Sequence, residues 1–132
     1  MLEEIINTPE IEQERNLVRN YRRGILFGSQ VKRKGFHPET ILELGPGSGY
    51  FCVGIQGIFP DCRITVVDIV DDVLRNNKDI HGSATFKGTP ENLELLGMMQ
   101  FDLIIARDIL EHVTDISKVT ENVVKHLNKI NY

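Results

Sequence analysis

The sequence predicts an α/β fold with a parallel sheet, on three observations. Short runs of apolar and β-branched residues, at 40–44, 63–67, 84–87 and 101–106, alternate with segments of helical character, an order that yields parallel strands joined by right-handed crossovers. The runs at 63–67 and 101–106 lack polar alternation, as strands covered on both faces do. The first run feeds directly into a glycine-rich turn, Gly45-Pro46-Gly47-Ser48-Gly49, and glycine lets a backbone approach a ligand closely.

Each element follows from local pattern. From Pro9 to about Arg33, Ile11, Val18 and Ile25, with Leu17 and Tyr21 nearby, form an apolar stripe that suits one amphipathic helix or two short ones, with Pro9 in a first turn. Gly35-Phe36-His37-Pro38 breaks it before the first strand, 40–44. A helix over 48–59 is ended by Pro60-Asp61, the second strand at 63–67 closes with Asp68, and a helix over 70–78 ends near Gly82. The third strand, 84–87, precedes the loop Gly88-Thr89-Pro90, and a helical turn is expected at 93–96. After the fourth strand, 101–106, the last helix runs from Asp115 or Ile116 to Leu127, with Val119, Val123, Val124 and Leu127 as its buried face. No internal repeat, low-complexity tract or linker is visible, so the chain divides into an N-terminal helical segment, 1–36, and a core, 37–132.

At 132 residues the chain is long enough for one domain with a proper core. Its formal charge of −4 gives no global attraction to nucleic acid or anionic lipid, and no apolar run approaches the ~18 residues of a membrane span. Cys52 and Cys62 have no C-x-x-C spacing and no signal peptide precedes them, so both are read as reduced core thiols in a soluble, cytoplasmic protein. The charge is uneven: Glu3, Glu4, Glu10, Glu12 and Glu14 precede Arg15, Arg19, Arg22, Arg23, Lys32, Arg33 and Lys34. This is read as a solvated helix face with acids at its favourable end, in preference to a site for phosphate or RNA.

In an open parallel sheet a ligand sits beyond the carboxyl ends of the strands. The turn there is spaced G-x-G-x-G, with Tyr50 where a dinucleotide fingerprint has its third glycine. Asp68 ends the second strand some twenty residues on, where a carboxylate can accept from both hydroxyls of a ribose. With Glu43 two residues ahead of Gly45, the motif resembles the first motif of class I S-adenosylmethionine (SAM) dependent methyltransferases. A second match, Leu110-Glu111-His112-Val113, is similar to the L-E-H-V segment of methyltransferases related to those of ubiquinone and menaquinone biosynthesis.

The resemblance covers residues 41–127 and implies a Rossmann-like three-layer sandwich with strand order 3-2-1-4, SAM as cofactor and S-adenosylhomocysteine (SAH) as product. It implies cofactor contacts from Glu43, Gly45, Pro46, Gly47, Gly49, Asp68, Ile69, Thr89, Pro90, Ala106, Arg107 and Leu110. Where the family commonly has an aspartate for the adenine amine this chain has Thr89, and Pro90 has no N–H to offer, so weaker or re-registered adenine binding is expected. His112 is the candidate base, oriented by Glu111, against a role in capping or packing the turn before the last helix. His37, His81 and His126 are assigned no role.

Asp108, Glu111 and His112 are also similar to the magnesium-binding segment of small-RNA 2′-O-methyltransferases. That family draws a further histidine ligand from beyond a fifth strand, so no metal is expected. The resemblance stops where a fifth strand begins, which suggests a truncated domain, an exposed edge on strand four and self-association through it. The N-terminal helix is expected to lid the site. The function implied is methyl transfer to a small-molecule acceptor, the alternatives being a SAM-binding module without turnover or, disfavoured by Tyr50 and the L-E-H-V segment, a nicotinamide-dependent oxidoreductase.

Overall fold

The structure, a computed structural model, describes residues 8–107 and 109–128, and of Leu110 the backbone alone. It contains helix α1 (Pro9–Arg33), strand β1 (Thr40–Leu44), α2 (Tyr50–Ile58), β2 (Arg63–Asp68), α3 (Asp71–His81), β3 (Ala84–Lys87), β4 (Leu103–Ala106) and α4 (Ile116–His126), with single 3-10 turns at Glu94–Leu96 and Leu110–His112. The four strands form one parallel sheet in the order β3-β2-β1-β4, as expected. Glu43 at the middle of the sheet lies opposite Val66 on one side and Ile105 on the other.

Alternation along β1 sends side chains to two cores. On one face Ile41 joins Phe51, Cys52, Ile55, Ile64, Val66, Leu74 and Ile105, with Phe27 and Val31 of α1 packed against them. On the other, Leu42 and Leu44 join Val67, Leu93, Leu96, Phe101 and Ile109, with Val123 of α4 alongside. Helices α1, α2 and α3 thus cover one face of the sheet and α4 the other. Cys52 and Cys62 are buried and free. Among the described residues no helix is long and apolar enough to cross a membrane.

The element boundaries differ from expectation for local reasons. α1 is one continuous helix, capped by the Thr8 hydroxyl accepting from the Ile11 amide at 3.3 Å. α2 begins at Tyr50 instead of residue 48 because the turn through Gly49 is left-handed. α3 continues to His81, three residues past the expected end, where left-handed Gly82 stops it.

The buried faces of two helices also depart from the apolar stripes. α1 meets α2 through its buried glycines, Gly24 and Gly28, while Val18 is 50% and Tyr21 38% exposed. A Cβ on Gly24 would collide with the Phe51 carbonyl, and one on Gly54 with the Tyr21 carbonyl, so the two backbones are nearly in contact. In α4, Val124 is 68% exposed and Leu127 38%, and the buried positions are Val119, Asn122 and His126. The polar pair is inside because α4 covers loops whose carbonyls need donors: His126 Nδ1 lies 2.7 Å from the Met99 carbonyl oxygen, and the Asn122 amide serves Pro90 and Glu91.

Strand β4 is hydrogen-bonded to β1 on one side. Just ahead of it, the chain leaving α4 turns back alongside: the Phe101 amide donates to the His126 carbonyl at 2.7 Å and the Asn128 amide to the Phe101 carbonyl at 2.8 Å, a parallel bridge that draws Leu127 out of the helix. The approach to β4 is therefore partly covered, and its open side is confined to Leu103–Ala106 among the described residues.

Candidate cofactor cleft

At the carboxyl ends of β1 and β2 lies a cleft of about 380 Å3 lined by Gly45, Gly47, Val67, Asp68, Ile69, Gly88, Thr89, Pro90, Glu91, Ile109, His112 and Val113. Other hollows are as large, about 480 Å3 beside the arginines of α1 and about 560 Å3 at the opposite end of the sheet. Neither joins a glycine turn to an acidic strand end. No described residue of α1 lines the cleft, since the helix lies along α2, so the expected lid is not formed by α1.

The floor is the turn after β1. The Gly45 amide donates to the Val67 carbonyl at 2.9 Å, tying the turn to β2. Gly47 has φ 57°, and a Cβ there would meet nothing within 4 Å, so the backbone lies bare toward the cleft. Gly49 is required for the opposite reason: with φ 86°, its Cβ would press on Asn77 and Ile80 of α3. Pro46 is among the fully buried side chains and is not among the residues lining the cleft.

Asp68 stands at the end of β2. Its Oδ1 accepts from the Val70 amide at 2.9 Å, which fixes the carboxylate while leaving it further acceptor capacity. The Gly88 amide donates to the Asp68 carbonyl at 3.1 Å, which brings the loop after β3 to the rim. There the Thr89 hydroxyl oxygen accepts from the Asn92 amide at 3.2 Å, closing a tight turn.

Several residues singled out in the sequence lie elsewhere. Glu43 is fully buried behind the glycine turn, where its Oε2 accepts from Arg107 Nε at 3.1 Å and its Oε1 from the Cys52 thiol at 3.3 Å. Arg107 is turned inward, its guanidinium 3.9 Å from the centroid of the Phe51 ring. Burial pushes the Glu43 carboxyl above its ordinary range, with the Arg107 charge and hydrogen bond opposing. Burial and then the neighbouring Glu43 push the Cys52 thiol far up, so it is held as an inert thiol. Ala106, at the exposed end of β4, is not among the lining residues, and neither is Gly49.

Glu111 and His112 share the 3-10 turn after β4, Oε1 to Nε2 3.4 Å, with both side chains more than two-thirds exposed. His112 reaches the rim of the cleft. Asp108, the first member of the magnesium set, lies outside the described residues, as do Glu3 and Glu4 of the acidic N-terminal cluster.

Sequence reasoning missed two residues that hold the cleft. Asn77 is fully buried on α3, and its amide nitrogen donates to the Gly47 carbonyl at 2.9 Å and to the Val73 carbonyl at 2.8 Å. Its oxygen faces His81 Nε2 at 2.8 Å. Asn122 of α4 donates to the Pro90 carbonyl at 3.0 Å and the Glu91 carbonyl at 2.8 Å. The available signal was asparagine, a poor helix former, placed in helix interiors.

Burial pushes the His81 imidazole below its ordinary value of 6.5, and its Nδ1 is buried without a partner. The unfolded chain therefore binds this proton more readily than the folded one, so the contribution of His81 to stability is full above about pH 6.5 and is lost as pH falls below it. Urea denaturation is expected to show stability declining from pH 7.5 to pH 5.5. His81→Gln, which keeps a side-chain donor near Asn77, is expected to flatten that decline, and an unchanged slope would remove His81 as its source.

The sheet order, the glycine turn of β1 and the acidic end of β2 define a Rossmann-like α/β protein with a cleft at the strand ends. A methyltransferase domain model matches residues 42–129, and the chain belongs to that family. The malonyl-[acyl-carrier protein] O-methyltransferase of Bacillus anthracis is 28% identical over 89 residues, covering 67% of this chain and 33% of that protein. The enzyme of the same name from Anoxybacillus flavithermus is 27% identical over 100 residues, 75% of this chain and 39% of its own. The chain thus spans little more than a third of these curated relatives. Among solved structures, the plantazolicin methyltransferase BamL, in complex with a triazolic desmethylPZN analog and SAH, superposes with a TM-score of 0.70 at 14% identity, over 95% of this chain and 50% of its own. The sugar N-methyltransferase KedS8 of Streptoalloteichus gives a TM-score of 0.66 at 14% identity, over 82% and 44%. At such identities the likeness is one of fold.

Proposed function

We propose that this domain binds SAM in the cleft at the ends of β1 and β2 and serves methyl transfer to a small or carrier-bound acceptor. The observation that carries the reading is the juxtaposition, in one cleft, of the bare backbone at Gly47 with the fixed carboxylate of Asp68. The residues fit the cofactor: Asp68 suits neutral ribose hydroxyls, and Ile69, Pro90 and Ile109 give apolar walls for a flat base. Thr89 has its oxygen engaged by Asn92 and Pro90 has no N–H, which supports an adenine held mainly by packing.

When bound, SAM supplies an electrophilic methyl on a sulfonium. Bound there, it would be open to in-line displacement, the acceptor atom bonding to the methyl carbon as the bond to sulfur breaks and sulfur keeps the electron pair. The protein's part is to orient and to exclude water. A base is needed only where the acceptor must lose a proton, as a hydroxyl, an amine or a carbon acceptor does, and His112 at the rim, beside Glu111, is the group in place to take it. A carboxylate acceptor, as the names of the curated relatives imply for them, is already anionic and needs no base. The exposed state of Glu111 and His112 favours, as second reading, a SAM-binding module without turnover. A cytoplasmic setting suits the two free thiols, and association through the open side of β4 belongs to the same reading.

Calorimetric titration with SAM, alongside Asp68→Ala, tests the proposal. The parent is expected to bind, and the variant to bind about 10- to 100-fold more weakly, the value of hydrogen bonds to a charged group. A folded parent that takes up no SAM would leave a fold without its site.

A further inference from the structure

Two walls of the cleft are loops, the glycine turn after β1 and the loop after β3, and each is held from behind by one buried asparagine. Asn77 is fully buried and spends one N–H on the carbonyl of its own helix, Val73, and the other on Gly47, thirty residues away in sequence. Asn122 is 9% exposed and spends its amide on two successive carbonyls, Pro90 and Glu91. A primary amide suits this task because it offers two donors from one nitrogen. Asp in its place would set oxygen against carbonyl oxygen in a buried position. The two asparagines act from opposite faces of the sheet, α3 on one side and α4 on the other, so they fix the two walls independently.

We propose that Asn77 and Asn122 are positioning residues that set the aperture of the cofactor cleft, Asn77 by fixing the glycine turn and Asn122 by fixing the loop over the base. The inference rests on the SAM reading above. His81 completes the first clamp: its Nε2 at 2.8 Å from the Asn77 oxygen holds the amide with its nitrogen toward Gly47. Neither asparagine lines the cleft, so each affects a ligand only through the loop it holds.

The test compares the parent with Asn77→Asp, Asn122→Asp and His81→Phe by three readouts: thermal midpoint, SAM affinity by calorimetry, and amide hydrogen exchange of the free protein. Asn77→Asp is expected to weaken SAM about tenfold or more and to speed exchange at residues 47–50, leaving 89–92 as in the parent. Asn122→Asp is expected to do the reverse in exchange while also weakening SAM. His81→Phe, which leaves Asn77 in place, is expected to reproduce the Asn77→Asp pattern in smaller measure, and it carries the test if Asn77→Asp does not fold. A merely structural role would lower the thermal midpoint and leave both the affinity of the folded protein and the local exchange pattern at parental values. That result overturns the inference. Local loosening in the expected segments with a parent that binds no SAM supports the clamps and refutes the cofactor reading, so the two failures are told apart.

Discussion

Arg107→Met is expected to destabilise the domain by about 3–5 kcal/mol at pH 7, the cost of leaving a buried charge without its partner. Glu43 is fully buried at the centre of the sheet, and Arg107 is the cation beside it. Without the guanidinium the carboxyl retains the Cys52 thiol as its neighbour, and burial drives its pKa further up. The folded state then holds a proton that the unfolded chain releases above about pH 4.5. Stability of the variant therefore falls as pH rises from that value until the folded carboxyl itself ionises, by up to about 1.4 kcal/mol per pH unit. Urea denaturation at pH 5 and pH 7 checks this, with the smaller loss expected at pH 5. Adding Glu43→Gln is expected to recover much of the loss. An equal loss at both pH values would mean that Arg107 matters for its packing on Phe51, and that the charge of Glu43 is not what it holds.

Gly54→Val is the second large effect, expected near or above the upper end of the roughly 1–3 kcal/mol that overpacking costs. The atoms a Cβ would meet are the Tyr21 carbonyl, the Ile25 amide nitrogen at 2.8 Å and the Gly24 carbonyl carbon at 3.0 Å. All are backbone of α1, and none can swing aside as a side chain can, so α1 must lift from α2. Gly57→Ala on the same helix is the contrast. A Cβ at that position would meet nothing within 4 Å, so the substitution is expected to stabilise by about 0.5–1 kcal/mol through helix propensity and a less flexible unfolded chain. Comparable losses for both substitutions would show that the α1–α2 seam is not close-packed.

The strands and the glycine turn were legible because they are local: runs of four to six residues, a breaker between them, a motif within ten residues; the order of the strands came instead from the resemblance to the methyltransferases. The α1–α2 seam was not, because an apolar stripe at helical spacing suggests that large side chains face the core, whereas Gly24 and Gly54 bury backbone against backbone. In α4 the apolar stripe misassigned Val124 for a related reason. What decides its buried face is the set of carbonyls on the loops beneath, and those belong to residues 27 to 32 positions earlier in the chain. Glu43 was legible as part of the motif, but its place behind the turn depends on a cation 64 residues away.

That separation limits how the chain can be divided. The glycine turn, Asp68 and the loop after β3 all fall within residues 40–92, which reads as a portable half-domain. Yet its central strand carries a carboxylate whose cation arrives only with residue 107, and its upper loop is secured only by residue 122. A graft that carries residues 40–92 without 103–122 loses both ties at once. A transplanted unit that keeps both ties runs at least from β1 through α4.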